Sequence, residues 1–471
     1  MDKDLQARQE ARELAKQAFD AQKQLARMSQ QQLDRIVEAV SRAVYGAAAE
    51  LAELAVQETG FGNVSDKITK NQFASKTVFE TVKNMKTVGV LREDPTEKLW
   101  EVGVPMGVIA AIVPSTNPTS TVCYKALIAL KSGNAIVFSP HPKALCCTLR
   151  AAKIVAQAAE AAGAPAGAVS CLTVPVLEGC RELMSDAHVA LILATGGPAM
   201  VRAAYSSGRP AIGVGAGNGP AYIHKSADVR HAIHCIVRSK TFDNGTVCAS
   251  EQSIIVEKAM EQQVMAEGRA QGLYFMNEQE AAALAKLLFR SNGAMNPETV
   301  GRTALQLAQK AGFSVPASTK VLVGRETAVG RPYAKEKLCP VLGFFVEENE
   351  NAVLQKVVEV LCDEGSGHTF SIHAEDQTVI RKFALEVPVS RFLVNTPAAL
   401  GGIGASTALF PALTLGCGAV GGSSSSNNIS PLDLVNIRRV AWDREIKQPE
   451  AEQDLIEIIT SKILQRLENV T

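Results

Sequence analysis

One of the ten cysteines lies in a segment that suits covalent chemistry. Cys248 belongs to FDNGTVCASEQ, residues 242–252, a predicted loop in which the neighbouring side chains are small or polar. A cysteine thiol with open surroundings can act as a nucleophile. The chain has no CxxC pair and no metal-like spacing between its cysteines and its seven histidines, so no metal site is predicted. Most cysteines of a reducing compartment are small buried hydrophobes, and that alternative stays open for each of the ten.

Three further segments are predicted to meet Cys248 at one crevice. VPSTNP (113–118), ATGG (194–197) and GVGAGNG (213–219) each contain or follow the end of an apolar run, and ligands bind outside the carboxyl ends of parallel strands. The two glycines of ATGG would let the backbone approach a phosphate, although such a turn also occurs without a ligand. Asn117 can donate its amide to an oxyanion or cap the helix that follows. The other candidate cofactor contacts in these segments are Pro114, Ser115, Thr195, Gly196, Gly197, Gly213 and Gly215.

The elements around these segments alternate between short apolar strands and helices. Residues 5–57 have the spacing of two or three amphipathic helices, and residues 87–105 that of a β-hairpin. The alternation indicates parallel sheets covered on both faces, in two α/β halves that meet near 215–225. The predicted strands are 108–114, 135–140, 189–197, 253–256, 321–324, 342–348, 370–376 and 391–395; the predicted helices are 119–133, 143–163 and 227–241, with two more between 258 and 312, and 416–428 is a predicted loop.

Length and charge narrow the function classes. The 471 residues, 46% of them hydrophobic, suffice for two or three domains. Lys plus Arg and Asp plus Glu both number 48. The chain therefore has no net positive charge that would attract nucleic acid or an anionic membrane. The charged N-terminal segment lacks the apolar core of a secretory signal, and no long apolar run follows. The expectation is a cytoplasmic enzyme that binds neither nucleic acid nor membrane.

The chain resembles the aldehyde dehydrogenase superfamily, and within it the CoA-acylating branch, over residues 5–440. The segments that carry the resemblance are GVIAAIVPSTNPTST, LKSGNAIVFSPHPKA, ILATGGPAMVRAAYSSGRPAIGVGAGNGPAYI, FDNGTVCASEQS, KLCPVLGFF and GSGHTFSIH. The resemblance implies an α/β fold with a Rossmann-type nucleotide-binding domain, an α/β catalytic domain and a β-hairpin oligomerisation arm, in a homodimer or tetramer. The implied ranges are 1–220 for NAD binding, with the hairpin at about 87–105, 221–415 for the catalytic cysteine domain, 416–446 for a return and oligomerisation segment, and 447–471 for a linker and terminal helix.

The resemblance also implies roles for single residues. Cys248 is the implied nucleophile, and Asn117 with the backbone N–H of Cys248 would hold the oxyanion. Thr195, Gly196 and Gly197 match the nucleotide-binding turn. Glu336 matches a glutamate on the nicotinamide ribose, the alternative being a solvated surface residue. The remaining implied contacts are Ser139 and Pro140 of SPHP, where many members place a lysine against the adenosine ribose, and His368 of GSGHT, either near the CoA entry or a packing residue.

One departure from the wider superfamily bears on the product. Hydrolytic members use a glutamate to activate the deacylating water, and alignment on Pro220 puts Val214 in its place. A valine takes no proton, whereas a thiol nucleophile needs far less help than water. The implied reaction is oxidation of a short aldehyde, acetaldehyde first, to acyl-CoA with NAD as cofactor, since SPHP offers no basic partner for a 2′-phosphate. The alternatives are propionaldehyde or sulfoacetaldehyde as substrate, release of the free acid, glutamyl phosphate or semialdehyde reduction, and an idle scaffold.

The C-terminal segment forms a separate amphipathic element. In DLIEIITSKILQRLENV, residues 454–470, six apolar side chains fall near one helical face, and a polar stretch with Pro449 precedes them. Such a helix packs on the body or on a neighbouring subunit, or it resembles the encapsulation peptides that carry aldehyde dehydrogenases into bacterial microcompartments. The second alternative predicts shell proteins as partners. The six residues are Leu455, Ile456, Ile459, Ile463, Leu464 and Leu467.

Overall fold

The N-terminal region is a layer of helices. A computed structural model describes residues 2–443 and 450–468 of the chain. The first three helices cover the region in which two or three were predicted, and a stripe of alanines spaced by three or four residues buries one face of the first. A single π-helical turn, Phe73–Thr77, joins the fourth and fifth helices. The helices are α1 Lys3–Leu25, α2 Gln30–Gly46, α3 Ala48–Thr59, α4 Val64–Gln72 and α5 Val78–Val82.

The predicted hairpin is confirmed and gains a third strand. Its strands, β1 Gly89–Asp94 and β2 Leu99–Pro105, pair antiparallel around a turn in which Lys98 has a φ of 49°. A strand from near the end of the body, Val435–Ala441, pairs antiparallel with the other edge of β2. This strand was not predicted.

A five-stranded parallel sheet follows, in the order β5-β4-β3-β6-β7. The chain leaves β3 towards β4 and β5 and returns to the other side of β3 with β6, so the strand order reverses between β3 and β6. Ligands of open α/β sheets bind at such a point. The strands are β3 Val108–Ile112, β4 Ala135–Ser139, β5 Val169–Cys171, β6 Val189–Thr195 and β7 Ala211–Val214, and the helices are α6 Pro118–Lys131, α7 Leu145–Ala161, α8 Leu177–Ser185 and α9 Pro198–Tyr205.

A second parallel sheet has seven strands in the order β10-β11-β12-β9-β8-β13-β14. Buried apolar clusters cover both of its faces. The strands are β8 Gly219–Ile223, β9 Glu251–Glu257, β10 Leu273–Phe275, β11 Val321–Arg325, β12 Val341–Glu347, β13 Gly367–His373 and β14 Val389–Val394, and the helices are α10 Val229–Thr241, α11 Glu261–Gln271, α12 Glu278–Leu288, α13 Ala304–Ala311, α14 Glu350–Asp363, α15 Gln377–Glu386 and α16 Ala398–Gly402.

The prediction of two helices between 258 and 312 is wrong, because this stretch holds three helices and a short strand. Gly272, with a φ of 101°, ends α11 in a left-handed cap and releases the chain into β10. Asn277 then starts α12 through a capping box with Glu280. The cap at Gly272 and the capping box at Asn277 divide a stretch that the apolar spacing alone does not separate into these elements.

The end of the chain returns to the first sheet. The loop predicted at 416–428 contains one short 3₁₀ turn, Ala419–Gly421, and Asn428 at its end forms an isolated antiparallel bridge with Leu415. Leu415, Cys417 and Ile429 pack into the core beside the first sheet. The third strand of the hairpin sheet is β15 Val435–Ala441, and the terminal helix is α17 Glu450–Glu468. Its Ile456, Ile458, Ile459 and Ile463 are exposed.

The sequence also predicted a domain boundary near residue 220 and a linker before the terminal helix. The first sheet ends at Val214 and the second begins at Gly219, near the expected boundary at 220, while the four-part domain division stays a prediction. The stretch 447–449 of the predicted linker lies outside the described residues. Within the described part of the chain, no helix is both long and apolar enough to cross a membrane.

Candidate active site

A cavity of about 610 Å³ opens where the first sheet meets the cysteine loop. Its wall includes the segments after β3, β6 and β7 together with the loop before β9, as the predicted crevice required. The structure brings nine of the predicted site residues to this wall: Pro114, Ser115, Asn117, Thr195, Gly196, Gly197, Gly215, Cys248 and Glu336. The other four do not line it: Ser139 and Pro140 are buried at the end of β4, Gly213 lies within β7, and His368 is buried at the start of β13.

Cys248 faces the cavity from a tightly held loop. Its residue is partly exposed, and a 3₁₀ turn, Phe242–Gly245, precedes it. Asp243 and Asn244 in this turn have φ values of 48° and 52°, a left-handed conformation that non-glycine residues adopt only when their surroundings hold them. Gly217 packs against the loop so closely that a Cβ there would lie 2.0 Å from the carbonyl oxygen of Cys248.

The surroundings of Cys248 disfavour its thiolate. Burial, the negative charge of Glu336 and the neighbouring Cys417 raise its pKa to about 12, and the guanidinium of Arg391 opposes them. Burial raises the pKa of Glu336 itself to about 8. A thiolate therefore forms only when a ligand or the pH changes this balance.

Glu336 is part of the cavity rather than a solvated surface residue. It is half-buried and lines the wall, and its Oε1 accepts a hydrogen bond of 2.9 Å from the backbone N–H of Gly217. The surface alternative is therefore wrong, and the role on a nicotinamide ribose stays a prediction.

Asn117 does not cap the helix that follows it. It occupies the N-cap position of α6, but its side chain makes no capping hydrogen bond. Its Oδ1 instead accepts a hydrogen bond of 2.6 Å from Nζ of Lys70, and its Nδ2 lies 3.4 Å from the carbonyl oxygen of Thr246. An ammonium group only donates, so the oxygen of the amide must face Lys70. The amide nitrogen donates to the hydroxyl of Thr116 at 3.2 Å and, on the side of the cysteine loop, to the carbonyl oxygen of Thr246 at 3.4 Å.

Sequence reasoning did not select Lys70. The residue lies on α4, in a segment whose lysines resemble the polar face of an ordinary amphipathic helix, yet its side chain is only 3% exposed and lines the cavity. The only local signal was its spacing from Lys67 by three residues, which places both lysines on one helical face.

His368 lies behind the cysteine loop. Its Nδ1 is 2.9 Å from Oγ1 of Thr369, and its Nε2 has no hydrogen-bond partner among the described residues. Burial, with a contribution from Arg391, lowers its pKa to about 3. The imidazole is therefore neutral at physiological pH, and a CoA-related role stays a prediction.

The wall of the cavity fits a nucleotide cofactor. Gly197 caps α9 without a side-chain hydrogen bond. Pro198 has no N–H, and the N–H groups of Met200 and Val201 donate to the carbonyl oxygen of Gly197 at 3.0 and 3.2 Å, so in this turn the N–H of Ala199 is the group that can meet a phosphate oxygen. A Cβ at Gly197 or Gly215 would meet nothing within 4 Å, which shows open space on both sides of the β6–β7 edge. Val214 adds an apolar surface between them.

Two parallel sheets, with a glycine turn, Asn117 and Cys248 lining one cavity at their edge, fit the class of dehydrogenases. The comparisons with known proteins agree with this class. The family model "Aldehyde dehydrogenase family" matches residues 3–274. The chain belongs to the aldehyde dehydrogenase family.

Solved structures share the whole fold and confirm the predicted resemblance to the acylating branch. A probable aldehyde dehydrogenase from Listeria monocytogenes EGD-e is 55% identical, with a TM-score of 0.93 over 95% of this chain and 99% of that chain. An acetylating aldehyde dehydrogenase from Geobacillus thermoglucosidasius is 47% identical, with a TM-score of 0.92 over 95% of this chain and 100% of that chain.

The curated relatives include longer proteins. The bifunctional aldehyde-alcohol dehydrogenase AdhE of Escherichia coli K12 is 43% identical over 435 residues, which are 91% of this chain and 49% of that protein. The chain thus spans about half the length of several curated relatives that it matches.

Proposed function

We propose that the protein is a CoA-acylating aldehyde dehydrogenase that oxidises a short aldehyde, acetaldehyde first, to acyl-CoA. The observation that carries the proposal is the meeting of Cys248 and the amide of Asn117 in one cavity wall with Val214, where a hydrolytic enzyme would need a carboxylate. The small neighbours of the cysteine favour a short substrate. Propionaldehyde and sulfoacetaldehyde are the alternative substrates.

The first half of the reaction forms a thioester on the enzyme. Cys248 first loses its thiol proton to solvent. The thiolate then adds to the aldehyde carbon, and Nδ2 of Asn117 with the N–H of Cys248 holds the resulting oxyanion. A nicotinamide cofactor, when bound, supplies the acceptor for the hydride. Gly196 and Gly197 would hold its phosphates and Glu336 its ribose. Loss of the hydride converts the adduct into an acyl thioester of Cys248.

The second half transfers the acyl group to CoA. The sulfur of CoA attacks the thioester carbon, the C–S bond to Cys248 breaks, and acyl-CoA leaves while the proton of the CoA thiol passes to Cys248, which returns as a thiol. Water would need a general base at the position of Val214, which has no proton acceptor. A propionaldehyde dehydrogenase from Rhodopseudomonas palustris, 27% identical, holds CoA and an acylated cysteine, which supports this route.

We propose NAD as the preferred nicotinamide cofactor. An engineered glycolyl-CoA reductase, 27% identical, holds NADP⁺. The proposal rests on SPHP, which carries His141 and no lysine or arginine at the end of β4. Burial and the nearby charge of Lys143 lower the pKa of His141, which disfavours a charged imidazole there. A ratio of kcat/KM for NAD over NADP below one would contradict the proposal.

We further propose that the protein forms a homodimer or tetramer through the sheet of β1, β2 and β15. Trp100 and Trp442 stand exposed there, with ring centroids 5.0 Å apart, and Ile437 lies exposed on β15. Exposed aromatic clusters of this kind suit an interface between copies. Sedimentation of wild type against Trp100→Glu tests this, since the charged residue should shift the protein towards monomer.

The terminal helix α17 supports a location inside a bacterial microcompartment, with shell proteins as partners, in a protein that is otherwise cytoplasmic. Its exposed isoleucines are the surface that a shell protein would cover. A related propionaldehyde dehydrogenase comes from a fucose-utilisation microcompartment of Clostridium phytofermentans. Deletion of 447–471 should release the enzyme from purified shells and preserve its activity, whereas loss of activity would favour packing of the helix on the body.

The deciding experiment measures NADH formation from acetaldehyde, propionaldehyde and sulfoacetaldehyde, each with and without CoA. Wild type is compared with Cys248→Ala and with Cys362→Ala, which removes an exposed cysteine outside the cavity. Turnover that needs CoA, disappears in Cys248→Ala and persists in Cys362→Ala supports the proposal. Equal turnover without CoA, with free acid as the product, would replace it with the hydrolytic function.

A further inference from the structure

Helix α4 inserts two lysines between the loop of Asn117 and the loop of Cys248. The side chains of Lys67 and Lys70 are each 3% exposed, and both pair with the fully buried carboxylate of Asp243. Asp243 stands five residues before Cys248, so the ion pairs tie α4 to the cysteine loop. Lys67 also donates to the carbonyl oxygen of Thr116, next to Asn117, at 2.9 Å.

Every proton of the Lys70 ammonium has an acceptor. Nζ donates to Oδ1 of Asn117 at 2.6 Å, to Oγ1 of Thr246 at 3.0 Å and to Oδ2 of Asp243. The hydroxyl of Thr246 donates to Asp243 at 2.6 Å and is therefore free to accept from Lys70. Burial lowers the pKa of Lys70 to about 8, against the charge of Asp243, so the group is mainly protonated at pH 7.

This network determines whether the oxygen or the nitrogen of the Asn117 amide faces the cavity. With Oδ1 held by Lys70, rotation of the amide by 180° would aim Nδ2 at a cation that has no acceptor to offer. The same rotation would present an oxygen lone pair to the oxyanion of a substrate adduct. Without Lys70, the amide keeps one neutral partner that distinguishes its two orientations, the carbonyl oxygen of Thr246 at 3.4 Å from Nδ2.

We propose that Lys70 is a positioning residue for the acylation step, which locks the amide of Asn117 with Nδ2 towards the reacting oxygen. The inference rests on the proposed function, because it needs an oxyanion beside Cys248. Asp243, in the cysteine loop, forms an ion pair with Lys70, and Lys70 binds Asn117. The buried side chain of Lys70 therefore fixes the position of the Asn117 amide relative to Cys248. Lys67 binds the backbone carbonyl of Thr116 in the loop of Asn117 and makes no hydrogen bond to the amide of Asn117.

A double-mutant cycle tests the proposal on the full chain. Lys70→Met, Asn117→Ala and the double variant are compared with wild type by the rate of the first NADH turnover with acetaldehyde and by steady-state kcat and KM. Loss of one oxyanion donor costs roughly 10²–10³-fold in kcat. Each single variant should fall in this range with little change in KM, and the double variant should lie within about threefold of Asn117→Ala, as expected for residues that act as a unit.

Lys67→Met is the matched control, because it removes an equally buried lysine and keeps the bond from Lys70 to Asn117. It should lose less than about tenfold in kcat. Lys70→Gln retains an N–H donor, one bond closer to the backbone and without the charge, so it should recover a measurable part of the rate. This variant also serves if Lys70→Met does not fold, as judged by thermal unfolding.

Two results would overturn the inference. The first is a double variant whose loss equals the product of the single losses, since Lys70 would then act independently of Asn117. The second is an equal loss in Lys67→Met and Lys70→Met, with no recovery in Lys70→Gln, which assigns the lysines to loop stability alone. If the wild-type enzyme turns over no aldehyde with CoA, the proposed function is wrong, and this is seen before any variant is compared. Failure of the proposed function is therefore distinct from failure of the role proposed for Lys70.

Discussion

Gly217 determines how close the glycine-rich segment can lie to the nucleophile. A Cβ built at this position lies 2.0 Å from the carbonyl oxygen of Cys248 and 2.8 Å from its carbonyl carbon, and 3.2 Å from Cε1 of His368. Carbon atoms keep about 3 Å or more from such an oxygen, so Gly217→Ala must move the backbone of Cys248 by about 1 Å. A misplacement of this size costs on the order of 10²-fold in rate.

The assay is CoA-dependent NADH formation with acetaldehyde, measured with the midpoint of thermal unfolding. Gly217→Ala should lose on the order of 10²-fold in kcat/KM, and overpacking should cost about 1–3 kcal/mol of stability. Gly46→Ala, at the end of α2, is the control, because its added methyl meets nothing within 4 Å. A Gly217→Ala enzyme with activity within threefold of wild type would refute the link between this contact and the position of Cys248.

Two further predictions concern charge in the same region. Asp243→Asn leaves Lys67 and Lys70 buried without their paired carboxylate, so the free energy of unfolding should fall by about 3–5 kcal/mol. Denaturant unfolding measures this loss, and an unchanged midpoint would contradict the prediction. Glu336 ionises near pH 8, and its negative charge then opposes the thiolate of Cys248. Glu336→Gln should therefore be alkylated by iodoacetamide several-fold faster than wild type above pH 8 and equally fast near pH 6, since one pKa unit is a tenfold change in thiolate fraction; identical pH profiles would count against this charge coupling.

The strands that the sequence predicted share one physical property. Parallel strands buried on both faces need continuous apolar runs, and VIAAI, residues 108–112, is such a run with all five residues buried. Strand β15 has no such signal, because five of its seven residues are exposed and its pairing partner β2 lies far away in the chain. A strand at the surface of an arm is stabilised by its partner more than by its own composition.

The sequence by itself determined the chemical inventory of the site: a cysteine among small residues, an asparagine after a strand and a glycine turn, all within short local segments. The tertiary structure alone decided that Asn117 binds Lys70 rather than capping α6, and that Glu336 enters the cavity. The physical reason is that a buried charge is stable only beside its counter-charge. Lys70 and Asp243 stand 173 residues apart, so only the folded chain brings them within hydrogen-bonding distance.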